Sequence, residues 1–352
     1  MAVYLNGIAT AVPPNVLPQD LVLENARRIL GPRYEQFEKM AKTFQTSGVG
    51  RRYSMASFEW FEDPKNWPQR NERYLEGARK LYIDVAQQAL ADAGLDACHV
   101  DTVVTVSSTG IATPTIEALA WKEMGFRNDI QRVPVFGLGC AGGVTGMSIA
   151  RSLAAARPGS NVLLVALEAC TLSFRSDRLK KADIIATVLF GDGAAAACLS
   201  TERLHPEKAS VELHQGQEEM WEDTLDIMGW NVDEAGLGVI FDRSIPAFAE
   251  ENFATAVDRA LRRAGLARHE IDRFVCHPGG AKVVQAIELA LQLETASLQR
   301  ERHVLKEYGN MSAPTVLFVL KQVLEDRCSG QMVMCALGPG FTASFLPLRV
   351  AS

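Results

Sequence analysis

The sequence predicts an α/β fold built from two similar halves, on three observations. Short apolar runs rich in β-branched residues alternate along the chain with longer stretches of helical period. The chain repeats itself: ALADAGLDACHVDTVV (89–104) lies against ALRRAGLARHEIDRFV (260–275), an offset of 171 residues in a chain of 352. An offset near half the length marks duplication of a fold unit, since solenoid repeats run to only about 20–50 residues. Residues 133–156 read as a strand, a glycine elbow presenting Cys140, and a helix, a unit that belongs to α/β architectures.

The elements follow in order. Residues 3–12 are a first strand closed by Pro13-Pro14, and 18–42 carry one helix with Leu21, Leu23, Ala26, Ile29 and Leu30 on a shared side. Residues 43–71 are irregular, broken by Gly48, Gly50, Pro64 and Pro68, and a basic cluster of Lys39, Lys42, Arg51 and Arg52 spans the start of this stretch. A helix over 74–93 ends at Gly94, a buried strand occupies 101–107, and 116–124 is helical. After the Cys140 elbow come strands at 162–167 and 194–199, separated by a polar stretch at 168–183. The repeat lays the Cys140 helix over 310–324 and the strand 162–167 over 332–337, so the architecture is two βα halves packed as pseudo-twofold mates.

Composition narrows the function. Lys+Arg 36 against Asp+Glu 42 gives a net charge of −6 without runs of like charge, which argues against nucleic acid as a partner. Seven scattered cysteines without a CxxC argue against a disulfide framework or zinc ribbon and for a reducing, cytoplasmic setting. The opening MAVYLNGIATAVPP has no basic n-region, and apolar runs fall short of the ~18 residues of a membrane span.

Three residues concentrate the chemistry. Cys140 opens a helix, where unpaired amides and the helix dipole favour a thiolate. His277 stands in CHPGG directly after a strand, at the place of Val106 in the first half, and Asn310 lies in YGNMSAP before a helix. Taken singly, Cys140 is explained as a small buried hydrophobe, His277 as a satisfied core histidine and Asn310 as an N-cap. Jointly they fall at repeat-matched element ends, which predicts that the loops at 107–110, Cys140, His277 and Asn310 converge near the pseudo-axis, where α/β folds bind ligands.

GLGCAGG, HPGG, GNMSAP, FGDGAAA and LGPGFT, in that order and with the opening NGIATAVPP, resemble the type III polyketide synthases, the chalcone synthase-like branch of the thiolase-fold condensing enzymes. The resemblance implies a thiolase-like, layered αβαβα fold, with residues 1–205 carrying the nucleophile and 206–352 carrying the catalytic His and Asn. It implies that Cys140 takes a starter acyl group from CoA, that His277 holds Cys140 as a thiolate, and that His277 and Asn310 hydrogen-bond the malonyl-CoA carbonyl during decarboxylation. CoA thioesters are then substrates, metal or redox cofactors are not needed, and the enzyme is a homodimer. The product is a pyrone, resorcinol or related aromatic polyketide.

Further positions carry over individually. Phe190 matches a gatekeeping phenylalanine, and a second gatekeeper position falls on Val239. Cys170 and Ser173 stand where plant enzymes have cavity-shaping threonines, and Thr113 replaces a methionine that crosses the dimer interface. Ser108, Thr109, Ser312, Gly338, Pro339 and Gly340 complete the cavity wall. The smaller Val239 and Ser173 make room for a fatty acyl starter. Relatives bind the CoA phosphates with cations in the segment equivalent to 46–52; two of those positions are Thr46 and Gly50 here, leaving Lys42, Arg51 and Arg52 as candidates. Two other functions compete. A single-round ketoacyl synthase III using an acyl carrier protein tends to carry an HQAN-like segment in place of HPGG. A Cys-His-Asn hydrolase of the papain type shares the residue order but has a CGSCW-like signature that is missing here.

Overall fold

The computed structural model describes residues 1–176 and 180–351. Alternating burial along YLNGIATA gives strand β1 (Tyr4–Ala11), followed by β2 (Asn15–Pro18). The single helix expected over 18–42 is two helices, α1 (Gln19–Leu30) and α2 (Phe37–Thr46). Pro32 sits in the 3-10 turn between them; without an amide hydrogen, and with its ring against the preceding turn, it breaks the helix. The stretch read as irregular contains β3 (Arg51–Ser54), paired antiparallel with β2, and the short α3 (Phe58–Glu62). Helix α4 (Trp67–Ala93) starts before the expected Tyr74, because Asn66 and Gln69 form a reciprocal capping box and Pro68 suits the first turn.

Next come β4 (Thr102–Val106), α5 (Ile116–Met124), β5 (Gln131–Val135), α6 (Gly142–Ala156) and β6 (Val162–Ala169), close to their expected positions. Part of the expected polar stretch, 177–179, lies outside the described residues; its end forms α7 (Lys181–Leu189), which leads into β7 (Asp192–Ser200). The second half contains β8 (Ser210–Leu213), β9 (Gln217–Met220), the hairpin β10 (Met228–Asp233) and β11 (Gly236–Phe241), and α8 (Ile245–Arg263). It continues with β12 (Arg273–Cys276), α9 (Ala281–Leu291), α10 (Gln299–Tyr308), α11 (Thr315–Glu325), β13 (Gly330–Gly338) and β14 (Thr342–Ala351).

Among the described residues the main ladder runs β12-β13-β14-β8-β1-β7-β6-β4-β5, with β9 beside β14. Its two ends obey one rule. In the first, β4 is parallel to β6, and β7 is antiparallel to both β6 and β1. In the second, β12 is parallel to β13, and β14 is antiparallel to both β13 and β8. The junction is narrow, with Tyr4 opposite Glu212 as the register pair between β1 and β8.

The duplication extends to side-chain roles. Asp101 accepts a hydrogen bond from the Asn161 amide at 2.9 Å, and its repeat mate Asp272 accepts one from the Gln331 amide at 2.7 Å. Gly94 (φ 65°) and Gly265 (φ 74°) end the matching helices α4 and α8 in the left-handed region that glycine occupies without steric cost.

Helices α6 and α11 each touch strands of both ends of the ladder, α6 meeting β4, β6, β13 and β14, and α11 meeting β1, β7, β12 and β13. They form the central layer, enclosed by a buried core that includes Val144, Met147, Val316, Leu320 and Met334. The outer face of the first half packs on α4 and α5, and that of the second on α8 and α9. The layers are therefore helix, sheet, helix, sheet, helix, as the thiolase-like expectation requires. A further cluster joins α1, α2 and α7 over one side.

Candidate active site

Cys140 lies in a 3-10 turn, Gly139–Ala141, that runs directly into α6. The turn needs small residues because other backbone passes close by. A Cβ on Gly143 would stand 2.2 Å from the Ala313 carbonyl oxygen, and one on Gly338 would stand 2.6 Å from the Ala141 Cβ. Pro339 presses on Gly139 from the same side. Gly338 and Pro339 thus form the platform under the thiol, and Gly340, at φ 72°, turns the chain into β14.

The expected convergence occurs. Cys140, His277, Gly279 and Asn310 line one enclosed cavity of about 20 Å³, closed by apolar residues including Phe241, Val283 and Leu337. Cys140 Sγ lies 3.9 Å from Asn310 Oδ1. Asn310 is not the N-cap of α11, which starts after Pro314. Its Oδ1 accepts from the Ser312 amide at 2.8 Å and its Nδ2 donates to the Gly279 carbonyl at 3.1 Å, so it ties the His277 loop to its own. Ser312 holds φ at 59°, a strained value for a non-glycine residue. Among the described residues neither ring nitrogen of His277 has a hydrogen-bond partner, although the side chain is buried.

Burial dominates the electrostatics. It pushes the Cys140 thiol up to about 11 against hydrogen bonding from Ser312 and Asn310, and pushes the His277 imidazole down to about 3. Each charge is therefore unfavourable alone at this depth, and the thiol lies at the positive, N-terminal end of α6.

Glu168 and Trp230 are two site residues that the sequence reading passed over. Glu168 Oε2 accepts from the Ser108 amide at 2.9 Å and the Thr109 hydroxyl at 2.7 Å, while Oε1 is buried without a hydrogen-bond partner among the described residues. Burial raises its carboxyl to about 8. A glutamate inside the apolar run VLLVALEA was the available signal. Trp230 faces Val239 across the β10–β11 hairpin, donates Nε1–H to the Ser108 carbonyl at 2.8 Å, and meets Phe190 edge-on at 6.5 Å. Val239 thus has an aromatic cross-strand neighbour on the same side of the hairpin.

Other candidates divide between wall and scaffold. Ser108 Oγ accepts from the Gly137 amide at 3.0 Å and so steadies the elbow. Thr109 and Ser173 meet Trp230 around a space of about 10 Å³. Cys170, Ser173 and Phe190 line an apolar recess of about 70 Å³ on the far side. Thr113 is exposed on this chain and lines none of these spaces.

The cation expectations change most. Arg52 is 2% exposed, and its terminal amines donate to the carbonyls of Thr187, Val188 and Phe190, a scaffold role that keeps it from a phosphate. Arg51 pairs with Glu307 at 2.6 Å, and Lys42 is exposed on α2. Instead, Lys181, Arg243 and Lys282 line an open groove of about 500 Å³ that shares Phe241, Gly279 and Val283 with the Cys140 cavity. No helix among the described residues is long and apolar enough to cross a membrane.

The family models for chalcone and stilbene synthases match residues 2–203 with the N-terminal domain and 212–350 with the C-terminal domain. The chain is 32% identical over 351 residues to a 1,3,6,8-tetrahydroxynaphthalene synthase of Streptomyces peucetius subsp. caesius, covering 97% of this chain and 92% of the relative. It is 29% identical over 364 residues to type III polyketide synthase A of Arabidopsis thaliana, covering 98% and 92%. The crystal structure of 1,3,6,8-tetrahydroxynaphthalene synthase from Streptomyces coelicolor A3(2) superposes with a TM-score of 0.93 at 27% identity, covering 99% of each chain. With both domain models matched in sequence order and the layered fold shared end to end, the chain belongs to the chalcone and stilbene synthase family, the type III polyketide synthases, and is an acyltransferase.

Proposed function

We propose that the enzyme condenses an acyl-CoA starter with malonyl-CoA in repeated decarboxylative steps and cyclises the chain to a pyrone, resorcinol or related aromatic. The observation that carries this reading is the meeting of Cys140, His277 and Asn310 at one buried cavity, with both imidazole nitrogens unengaged. The family uses CoA thioesters as substrates and needs no cofactor, which agrees with a site built from thiol, imidazole and amide.

His277 takes the Cys140 proton as Sγ attacks the starter carbonyl; the new C–S bond forms, the bond to CoA breaks, and CoA leaves as a thiol with the proton returned by His277. Malonyl-CoA then occupies the same site and loses CO2, the electron pair moving onto its thioester oxygen as an enolate. His277 and the second Nδ2 hydrogen of Asn310 stabilise that oxyanion; one such donor is worth about 10²–10³ in rate. The enolate carbon attacks the acyl-Cys140 carbonyl, releasing the thiolate and a chain longer by two carbons, which reloads onto Cys140. Lys181, Arg243 and Lys282, at the groove that leads to Gly279, are assigned to the CoA phosphates.

The homodimer belongs to this reading. Among the described residues strand β5 ends the ladder unpaired on its outer side, and Ile111, Leu119, Trp121 and Phe136 are exposed on this half of the chain. A second copy placed antiparallel on β5 extends the sheet and covers an edge that is otherwise an aggregation liability; Thr113 is assigned to that interface.

Mass analysis of products from acyl-CoA and malonyl-CoA, without carrier protein, tests the function. Condensation products that vanish in Cys140→Ala are expected. Turnover by Cys140→Ala, or dependence on a carrier protein, overturns the reading.

A further inference from the structure

We propose that Glu301, on α10, is a positioning residue that fixes the approach of His277 to Asn310. The proposal rests on those two side chains being the donors to the malonyl-CoA oxyanion. Glu301 is fully buried and does not line the cavity of Cys140. Its Oε1 accepts from the Cys276 amide at 3.1 Å, and its Oε2 accepts from Arg273 Nη2 at 3.3 Å. Cys276 is the residue directly before His277.

The contact takes the place of a missing strand. Among the described residues β12 ends the ladder, paired with β13 alone, so the amides on its outer edge need other acceptors. The Cys276 amide faces that edge and finds Glu301, whereas the His277 amide faces the sheet and donates to the Cys335 carbonyl at 2.8 Å. Successive amides are thereby tied to opposite sides, which fixes the backbone from which the imidazole projects. With neither ring nitrogen hydrogen-bonded among the described residues, that backbone and the packing around it aim the ring.

Helix α10 also leads to the other donor. It ends at Tyr308, two residues before Asn310. Its start is fixed by Glu288 of α9, which accepts from the Leu298 amide at 2.9 Å and pairs with Arg302. Helix α9 in turn begins at Ala281, just beyond the His277 loop. Glu301 therefore closes a ring of contacts that runs from β12 through His277, α9 and α10 and back to β12. Asn310 Nδ2, donating to the Gly279 carbonyl at 3.1 Å, spans that ring at the catalytic end. Without Glu301 the ring opens at β12, and His277 and Asn310 lose their fixed separation. Burial raises the carboxyl to about 7 against the pull of Arg273; protonated or ionised, it keeps an oxygen for the Cys276 amide. A glutamine keeps that acceptor too, and a leucine of similar volume does not.

The test is steady-state CO2 release from malonyl-CoA by Glu301→Leu, Glu301→Gln and Leu90→Ala, the last a buried core position of the first half whose loss lowers stability away from this ring. Thermal melts give the folded fraction, and rates are taken per folded molecule. In Glu301→Leu kcat is expected to fall roughly 10- to 100-fold, the cost of displacing a catalytic group by about 1 Å, while KM for malonyl-CoA changes by less than about twofold. Glu301→Gln should retain at least about a third of the wild-type kcat. Leu90→Ala should retain the wild-type kcat despite its lower melting temperature. If Glu301→Leu does not fold, Glu301→Asp, one methylene short of the amide, takes its place with the same split expected. Full kcat in the folded variant, an equal loss in Glu301→Gln or Leu90→Ala, or a change confined to KM overturns the positioning role while the condensation reading stands. Absence of both CO2 release and condensation in the wild type overturns both.

Discussion

A buried thiol ionises only when something nearby takes its proton, and the proposed mechanism assigns that part at Cys140 to His277. Burial, opposed by hydrogen bonding from Ser312 and Asn310, leaves the thiol near 11 while the imidazole is neutral, so without a proton acceptor the thiol stays protonated at neutral pH. Alkylation of Cys140 by iodoacetamide, followed by peptide mass spectrometry across pH, is expected to show an inflection in His277→Gln shifted up toward about 11 relative to the wild type. Identical profiles would show that His277 does not bear on the thiol. Glu168 is the second residue with a defined expectation. Its carboxyl is raised to about 8, so at neutral pH the folded chain holds a proton that the unfolded chain releases. Glu168→Gln keeps an oxygen to accept from the Ser108 amide and Thr109 hydroxyl and cannot ionise. The variant is expected to be more stable than the wild type at pH 8.5 and similar at pH 5.5, measured by thermal unfolding.

Two elements carry consequences of their own. Helix α6 reaches the Ala313 backbone only because position 143 has no side chain. Gly143→Ala places a methyl on the Ala313 oxygen and separates the halves where Cys140 and Asn310 meet; a loss of about 3 kcal/mol in urea unfolding is expected, with lower condensation activity. A variant as stable as the wild type would remove this contact from the account. Strand β5 is the other element. Phe136, 55% exposed directly after the strand, is expected to tolerate Phe136→Glu in a monomer and to break a dimer built on this edge. Light scattering after size exclusion should give the dimer mass for the wild type and half of it for the variant; a wild-type monomer would remove the interface.

At the scale of the whole molecule, buried acids set the pH dependence of stability. Burial raises Glu168 to about 8, Glu301 to about 7 and Asp192 to about 6. Each raised carboxyl stabilises fully below its unfolded value and loses that contribution as pH rises through its folded one. The depressed His277 acts oppositely, but only below its ordinary value near 6.5. From pH 6.5 to 8.5 the two glutamates therefore dominate, and the melting temperature is expected to fall across this range by calorimetry, less steeply in Glu168→Gln. A melting temperature that rises over the same range would contradict this balance.

The sequence by itself determined the duplication, the strand–elbow–helix at Cys140 and the identity of the three polar residues. These are local patterns, and the repeat forces matched positions to matched places. Tertiary structure decided everything that depends on side-chain direction. Pro32 divided a helix whose apolar period ran straight through it. Arg52 has the composition of a phosphate ligand, yet it is buried because the carbonyls ending α7 need its donors. Val239 is small, and its register pair across the hairpin is Trp230, whose indole reaches the Ser108 carbonyl and Phe190. The basic groove of Lys181, Arg243 and Lys282 joins residues from separate elements, and spacing along the chain cannot foretell such proximity. Linear order encodes which residues exist at each element end; only the packing of one half on the other fixes which of them share a cavity.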